Sequence, residues 1–316
     1  MDIRQLRYFI AIAQSSSLSS AAHSLNVAQP SLSQHLANME QELGVRLVER
    51  SHRGSVLTEE GRIFLQYAKH ICNSMDACLA EMQDLGQAVH GSVSFGMPPS
   101  VSMVMSVPLA ETVRVELPEV RLKAIEAMSG YIKAWIEDET VEIGFLYDLQ
   151  GVEHFEAVHV LDEQVYFFSA PDAWPLSTPP GEPVRMADLA GIDMILPGRT
   201  HGLRRIVEDA ASRSGTTLNV VIEMDAMTQI KDLVARGSAY TAFAPAAVYD
   251  FVSRGELLRA PIIDPVPSRP VYLVRKPTRM MSRACRAVRD VTLDVAKDLV
   301  QRGIWEGQLY MTDDKK

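Results

Sequence analysis

The chain has 316 residues, enough for about two domains at roughly 150 residues each. Its composition, 47% hydrophobic and 22% charged, suits a globular protein with a sizeable core. The start lacks the apolar run of a signal peptide, and no apolar run reaches the roughly 20 residues that span a bilayer. We therefore expect a cytoplasmic protein with no membrane partner.

The cysteines argue against disulfide-rich and zinc-binding proteins, and the net charge argues against a strongly basic protein. Cys72, Cys78 and Cys285 fit neither a disulfide framework nor the Cys/His spacing of a zinc site, so we expect buried free thiols, no metal and no cofactor. The net charge of −9 argues against a strongly basic nucleic-acid binder. The first 58 residues nevertheless carry five arginines against four carboxylates. A nucleic-acid-binding region of such low charge would need oligomerisation and specific contacts.

Apolar side chains at helical spacing predict three helices at the start of the chain. The first runs near residues 3–14, and Ser15-Ser16-Ser17 offers capping hydroxyls for the second. Pro30 suits the first turn of the third helix, where its missing N–H costs nothing.

The exposed face of the third helix is rich in short polar side chains, whereas a merely solvated helix would carry more Glu and Lys. Such side chains fit a DNA groove, and Gln pairs well with adenine in the major groove. The alternative is a small helical bundle with no role in DNA binding. The predicted DNA-binding residues of this helix are Gln29, Pro30, Ser31, Ser33, Gln34, His35 and Asn38.

An alternating segment with a Gly turn follows the third helix. The run from Val45 to Arg50, the turn at Gly54 and the return at Val56-Leu57 predict a two-stranded wing. Arg50 and Arg53 lie where a wing contacts phosphate or the minor groove, so both are predicted to bind DNA.

These segments resemble the signature of the LysR-type transcriptional regulators. The resemblance is dense over residues 1–65, and position 34 is Gln where many relatives have Arg. It implies a winged helix-turn-helix, a small-molecule-sensing domain and assembly into tetramers. The matching motifs are Leu6-Arg7-Tyr8-Phe9, Ser19-Ser20-Ala21-Ala22, Gln29-Pro30-Ser31-Leu32-Ser33, Glu40-Gln41-Glu42-Leu43-Gly44-Val45-Arg46-Leu47 and Leu57-Thr58-Glu59-Glu60-Gly61.

A long helix begins near Thr58 and carries apolar residues alternately four and three apart, the seam of a coiled coil. A homodimer through this seam would bring two recognition helices to two DNA half-sites. The alternative is an amphipathic helix packed only on its own domain. The predicted seam is Phe64, Ala68, Ile71, Met75, Cys78, Met82 and Leu85.

The rest of the chain alternates strands with helices, which predicts an α/β domain with largely parallel sheets. Strands near 92–96 and 194–196 both lead through Pro and a hydroxyl residue into a helix, which suggests two similar subdomains. The resemblance implies the same arrangement, like that of periplasmic binding proteins, with the effector between the subdomains and crossovers near residues 162 and 267.

The predicted fold class is therefore a multidomain α/β protein with four segments. A winged helix-turn-helix domain covers residues 1–58, and a linker and dimerisation helix covers 59–90. The effector domain covers 91–302, with subdomain I at about 91–162 and 268–302 and subdomain II at about 163–267. Residues 303–316 are assigned to a C-terminal tail.

Residues at strand ends and helix starts are the candidates for the effector site, because ligands of open α/β sheets bind at the carboxyl ends of strands. Thr200, His201 and Arg204 share one helical turn and could hold a small organic carboxylate, Arg204 supplying the charge. Tyr147 and Met227 favour an aromatic acid of the indole or benzoate type. The candidates are Ser100, Ser102, Ser129, Tyr147, Thr200, His201, Arg204, Ala226 and Met227.

Two other classes of function remain for this sequence. An enzyme is not expected, because the sequence has no phosphate-binding Gly loop, metal-ligand spacing or nucleophile elbow. A DNA-binding regulator with a vestigial cleft and no effector is the remaining alternative. The expected partners are double-stranded DNA, a small organic acid and further copies of the chain.

Overall fold

The computed structural model describes residues 1–15, 17–51, 54–83, 88–199, 201–277 and 281–311. The chain divides into two compact units. The first is Met1–Ala88 with Thr278–Arg283, and the second is Val89–Pro277 with Ala284–Lys316. No helix among the described residues is both long and apolar enough to cross a membrane.

Three short helices form the core of the first unit: α1 (Ile3–Gln14), α2 (Leu18–Ser24) and α3 (Gln29–Leu43). The Ser17 side chain caps α2 and Pro30 lies in the first turn of α3, both as the sequence predicts. The Asp2 side chain caps α1. Gly44 ends α3 with a left-handed backbone, φ 73°, a conformation that glycine adopts without steric cost.

An antiparallel hairpin and a long helix complete the first unit. Strands β1 (Val48–Ser51) and β2 (Gly54–Leu57) pair as the predicted wing. Helix α4 (Glu59–Gln83) begins after Thr58, whose hydroxyl accepts a hydrogen bond from the Gly61 N–H. The first turns of α4 pack on α1, where the Phe9 and Phe64 rings meet edge to face at 5.0 Å.

The second unit begins with subdomain I. Its first elements are β3 (His90–Met97), α5 (Pro99–Glu116), β4 (Glu119–Glu126), α6 (Ser129–Glu137), β5 (Ile143–Leu146) and β6 (Glu156–Gln164).

Subdomain II follows directly. Its elements are β7 (Tyr166–Ser169), β8 (Val184–Arg185), β9 (Asp193–Leu196), α7 (Gly202–Arg213), β10 (Asn219–Glu223), α8 (Met227–Ala235), β11 (Thr241–Phe243), α9 (Tyr249–Ser253) and β12 (Leu258–Ile263), with 3-10 turns at Pro171–Ala173, Met186–Leu189 and Pro245–Val248.

The chain then returns to subdomain I through β13 (Ser268–Arg275), α10 (Arg283–Gln301) and β14 (Gln308–Leu309). Two connections therefore join the subdomains, one at Val165 and one between β12 and β13. They are tied together by a hydrogen bond from the Val165 N–H to the Pro267 carbonyl, 2.8 Å long.

The two subdomains repeat one strand order. In subdomain I the order β4-β3-β5-β13-β6 has parallel pairs up to β5 and antiparallel pairs beyond it. In subdomain II the corresponding order is β10-β9-β11-β7-β12. Strands β10 and β9 pair parallel, and a parallel bridge from Met194 to Tyr240 places β9 beside β11. Strand β7 then pairs antiparallel with both β11 and β12. The sheets are thus mixed, where the sequence predicted largely parallel ones, because the strands at the crossovers run back along each sheet.

Residues 303–311 are not a tail. Strand β14 pairs with β6, and the Trp305 side chain is completely buried among the described residues. Its indole ring meets the Phe145 ring edge to face. This segment is part of subdomain I because a buried tryptophan anchors it. Residues 312–316 lie outside the described residues.

Candidate functional site

The predicted recognition face of α3 is solvent-accessible. The side chains of Gln29, Ser31, Gln34 and Asn38 are exposed, and that of Ser33 is half-buried. Gln29 donates to the Ser33 hydroxyl at 3.0 Å, and Gln34 donates to the Asn38 amide oxygen at 2.9 Å. Pro30 is exposed at the first turn of the helix. Donors and acceptors able to read base edges therefore line one face of α3.

His35 differs from its neighbours on α3. Its ring packs edge to face on Tyr8 of α1 at a centroid distance of 5.2 Å, and its Nδ1 is buried with no hydrogen-bond partner among the described residues. The imidazole ring of His35 therefore packs partly against the helical core of the first unit. A base contact from this residue, as the sequence suggested, has little geometric support.

The wing is anchored by Glu40, a residue that sequence reasoning missed. Its buried carboxylate accepts hydrogen bonds from the backbone N–H groups of Leu47 and Val48 and from the Arg46 guanidinium. A glutamate at the end of an amphipathic helix looks like a solvent-facing charge, so the sequence carries little signal for this role. Arg50 lies on β1, but its side chain and the whole of Arg53 lie outside what the structure describes.

The apolar face of α4 divides in two. Ala68 is fully buried and Phe64 is partly buried against the core of their own unit, so these two are not available for the predicted seam. Ile71, Met75, Cys78 and Met82 are exposed, which also corrects the expectation that Cys78 is a buried thiol. Cys72 and Cys285 are buried. Leu85 lies outside the described residues.

Two further apolar residues extend the exposed stripe of α4 toward its N-terminus. Ile63 is 50% exposed and Tyr67 is 64% exposed. Sequence reasoning missed both because a strict heptad selects Phe64 and Ala68, whereas an α-helix drifts by about 20° per heptad relative to that repeat. The exposed stripe is Ile63, Tyr67, Ile71, Met75, Cys78 and Met82.

A cavity of about 490 Å³ lies between the two subdomains of the second unit. Helices α5, α6 and α7 all begin at its wall, since Pro99, Ser129 and Gly202 line it. No side chain caps the start of α5 or α6 among the described residues. The unpaired N–H groups of such helix starts favour an anion.

The deepest charged group at this cavity is Arg269 on β13, which is 3% exposed. Its Nη2 donates to the Ser100 hydroxyl at 2.7 Å, and its guanidinium stacks 3.7 Å from the centre of the Tyr147 ring. Tyr147 and Ser100 also share a hydrogen bond of 2.5 Å. Burial raises the pKa of Tyr147 to about 12, so this phenol stays neutral.

Glu163 on β6 balances the charge of Arg269. Its Oε2 lies 2.8 Å from Arg269 Nε, and its Oε1 accepts a 2.6 Å hydrogen bond from the Trp305 indole. Arg269 Nη1 donates to none of the residues that the structure describes. One guanidinium nitrogen therefore remains for a ligand in the cavity.

Three more of the predicted effector residues line the cavity: Ser129, His201 and Met227. Burial lowers the pKa of His201, and the nearby charge of Arg269 lowers it further. The imidazole is therefore neutral at pH 7. Its Nδ1 accepts from the Leu203 N–H at the start of α7, so the proton resides on Nε2, which is a donor.

Arg204 does not line this cavity and does not supply its charge. Its guanidinium is 2% exposed, lies 2.7 Å from Glu208 and 3.4 Å from Glu223, and donates to the Pro197 carbonyl. It points into the subdomain because the first turn of α7 buries residue 204, whereas the next residue, Arg205, is exposed and lines the cavity.

Two other predicted effector residues also lie away from the cavity. Ser102 is buried one turn into α5. Ala226 lines a neighbouring cavity instead. Thr200 lies outside the described residues.

Arg269 and Arg205 are the positively charged cavity residues that sequence reasoning missed, and Asp148 is a negatively charged one. Arg269 lies just after the crossover that is predicted near residue 267. The sequence carries no signal that singles out Arg269, because β13 also contains Arg275 and the buried partner of Arg269, Glu163, is brought beside it by the pairing of two distant strands. No group of His, Cys, Asp and Glu able to hold a metal ion occurs among the described residues.

Comparison with known proteins decides the family. Residues 3–62 match the family described as "Bacterial regulatory helix-turn-helix protein, lysR family", and residues 86–297 match "LysR substrate binding domain". The second match alone covers more than half of the chain. The chain belongs to the LysR family of transcriptional regulators.

Curated relatives of this LysR-type regulator match over nearly the whole length. The nitrogen assimilation regulatory protein nac of Klebsiella aerogenes is 27% identical over 296 residues, which cover 93% of this chain and 95% of that protein. The DNA-binding transcriptional dual regulator OxyR of Escherichia coli is 26% identical over 278 residues, or 88% and 90% of the two chains.

Solved structures share the fold of this LysR-type regulator. Full-length OxyR of Pseudomonas aeruginosa has a TM-score of 0.76 at 19% identity, covering 99% of each chain. LysG of Corynebacterium glutamicum, with bound effector Arg, has a TM-score of 0.66 at 18% identity, covering 94% of this chain and 99% of that one. The predicted fold class is thereby confirmed. The protein is a DNA-binding transcriptional regulator with an effector-binding domain, and not an enzyme.

Proposed function

We propose that this LysR-type regulator responds to a small organic carboxylate, with aromatic acids of the indole or benzoate type favoured. The observation that carries the proposal is Arg269, a buried arginine at the wall of a 490 Å³ cavity, one of whose nitrogens has no partner in the described part of the chain. That volume falls within the range of roughly 300–1,000 Å³ typical of small-molecule sites.

The other walls of the cavity support the same class of ligand. The starts of α5, α6 and α7 supply backbone N–H groups, and the exposed Arg205 adds a second positive charge at the rim. Apolar side chains such as Ile206, Met227 and Phe243 form much of the remaining surface, which also includes the carboxylate of Asp148. A flat apolar body with one anionic end fits this combination.

Regulation then follows from a shift in population between subdomain arrangements. A ligand held by α5 and α6 of subdomain I and by α7 of subdomain II binds most tightly when the cleft is closed, so it favours the closed arrangement. Closure changes how copies of the chain pack into a homotetramer, and thereby the spacing and bending of the bound DNA.

The first unit supplies DNA binding and self-association in this proposal. Gln29, Ser31, Ser33, Gln34 and Asn38 on α3 read base edges in the major groove, and the wing contacts the backbone. The exposed stripe of α4 forms a homodimer seam, since a row of exposed apolar residues along one helix marks an interaction surface. Residues 1–58 and 59–90 act as DNA-binding and linker segments, and the effector domain extends from residue 91.

A thermal-denaturation screen of the full chain against small aromatic and aliphatic acids tests the effector. A ligand that binds only the folded state must raise its stability, so an acid that binds raises the melting temperature with concentration. Arg205→Ala, which removes an exposed charge at the rim, should weaken this effect. Arg213→Ala, on an exposed turn at the far end of α7, is the matched control and should leave it unchanged.

Melting temperatures that do not change with any acid would contradict the carboxylate proposal. Such a result combined with intact, unregulated DNA binding would favour the alternative of a regulator with a vestigial cleft.

A further inference from the structure

A second cavity of about 310 Å³ adjoins the effector cavity. The two share five wall residues and are therefore direct neighbours; the second cavity is called the outer chamber below. The shared residues are Pro99, Met128, His201, Met227 and Phe243.

The outer chamber has two carboxylates on opposite walls. Glu126 is the last residue of β4 in subdomain I, and Asp225 follows β10 in subdomain II. Strands β4 and β10 occupy equivalent positions in the repeated strand order, so each subdomain contributes one acidic residue to this chamber from the carboxyl end of an equivalent strand. Both side chains are exposed, and no lysine or arginine occurs among the described residues that line this chamber.

The inner cavity has the opposite charge pattern. Arg269 and Arg205 line it, and the charge of its Asp148 is partly offset by Lys133 at 3.8 Å. His201 lines both cavities, so its imidazole is affected by the charge of Arg269 in one and by the charge of Asp225 in the other. The positive charge of Arg269 lowers the pKa of His201, whereas the negative charge of Asp225 raises it. The inner cavity therefore presents two guanidinium groups, with Glu163 behind Arg269 and Asp148 at the wall, whereas the charged groups that line the outer chamber among the described residues are both carboxylates.

We propose that the effector carries a protonated nitrogen in addition to its carboxylate, the carboxylate lying at Arg269 and the nitrogen lying between Glu126 and Asp225. This inference rests on the proposed function, because it assumes that the cavity holds the anionic end. The ligand class is an amino-substituted or amidino-substituted organic acid.

The second charge has a role in closure. Bringing Glu126 and Asp225 together across the cleft costs free energy, because two carboxylates repel each other. A cation between them reverses the sign of that interaction and donates charge-assisted hydrogen bonds to both walls. An acid without the nitrogen would bind at Arg269 but would stabilise the closed arrangement less.

Matched pairs of probes test this ligand class on the full chain. Each pair is an acid and its amine-bearing counterpart: phenylpropanoate and phenylalanine, para-toluate and para-(aminomethyl)benzoate, hexanoate and aminohexanoate. Titration calorimetry should give an affinity at least about tenfold higher for the amine-bearing member of at least one pair, as expected of a charge-assisted contact.

The variants Glu126→Gln and Asp225→Asn keep the shape of each side chain. In Asp225→Asn the amide oxygen can still accept the 2.9 Å hydrogen bond from the Gly198 N–H, so the loop should keep its structure. Both variants should abolish the preference for the amine-bearing probe while retaining the affinity for the simple acid. Asp209→Asn, an exposed carboxylate on α7 that lines neither cavity, is the control and should retain the preference.

The outcomes separate the two proposals. If both members of every pair bind equally, or if the preference survives in both Glu126→Gln and Asp225→Asn, the inference is wrong and the carboxylate proposal stands. If no member of any pair binds, the proposed function fails and this inference fails with it.

Discussion

Arg269 Nη2 lies 2.7 Å from Glu163 Oε2, and neither side chain is more than 3% exposed. The pair joins the two strands at the subdomain crossovers, β6 and β13, directly behind the effector cavity. Because both charges are removed from water, each depends on the other for its compensation. The effector cavity therefore has a preformed positive group whose position does not depend on the ligand.

Glu163→Gln should be strongly destabilising. The substitution leaves the Arg269 charge buried without a counter-ion, for which the expected loss is about 3–5 kcal/mol of unfolding free energy. Chemical denaturation of the full chain measures it. The control is Asp188→Asn, which breaks an ion pair between the exposed Arg185 and the half-buried Asp188 and should cost about 1 kcal/mol or less. Equal stability of Glu163→Gln and Asp188→Asn would refute the role of the buried pair.

Tyr147 makes stability depend on pH in the alkaline range. Its folded pKa is about 12 against an ordinary value of 10, so above pH 10 the unfolded chain releases a proton that the folded chain retains. Stability contributed by the neutral phenol is thus complete below pH 10 and lost as the pH rises toward 12, by about 2–3 kcal/mol in total. Unfolding free energies between pH 9 and pH 11 should fall more steeply for the native chain than for Tyr147→Phe. Parallel slopes would contradict the assignment.

Gln34→Ala should weaken sequence-specific DNA binding without changing the fold. Gln34 is exposed on α3, and its only hydrogen bond among the described residues is to Asn38. Loss of a base contact costs about 1–3 kcal/mol of discrimination, or roughly fivefold to more than a hundredfold in affinity. Binding to a cognate operator and to an unrelated duplex, measured by fluorescence anisotropy, separates the two effects. If Gln34→Ala leaves the ratio of cognate to unrelated affinity unaltered, this face of α3 does not read bases.

His35→Ala should instead lower the melting temperature and leave the ratio of cognate to unrelated affinity unchanged, since His35 packs on Tyr8.

Met75→Asp should dissociate the homodimer. Met75 is 41% exposed in the centre of the apolar stripe of α4, where a buried carboxylate would have no partner in the proposed seam. Gln66→Asp introduces the same charge on an exposed position of a different helix face and is the matched control. Sedimentation equilibrium should show a smaller assembly for Met75→Asp alone. The same mass for both variants would exclude the stripe as the seam.

The elements of this fold could be predicted well because they follow from local patterns. The limits of α1 and α3 and the wing agree with the structure, since capping residues, Pro30 and the Gly turns mark them. The helix starts at Pro99, Ser129 and Met227 also follow from the change of period at each strand end. The antiparallel strands at the crossovers were less accessible, because their pairing joins residues about 110 positions apart, as in β6 and β13.

The effector site was predicted only in part. Ser100, Ser129, His201 and Met227 lie at the cavity because the start of a helix after a parallel strand places them there, and Tyr147 lies there because it directly follows the end of β5. The choice of arginine could not be made from the sequence. Arg204 and Arg205 are adjacent, and which of them faces the cavity depends on the exact phase of α7. Arg269 is brought to the site by a chain reversal about 170 residues after Ser100.

Titration calorimetry with the most stabilising acid and with its primary amide tests the central claim most directly. The amide has nearly the same shape but lacks the negative charge that Arg269 and the helix starts are proposed to hold. The account predicts that the amide binds at least about tenfold more weakly to the full chain. Equal affinities for the acid and the amide would contradict a carboxylate site at Arg269.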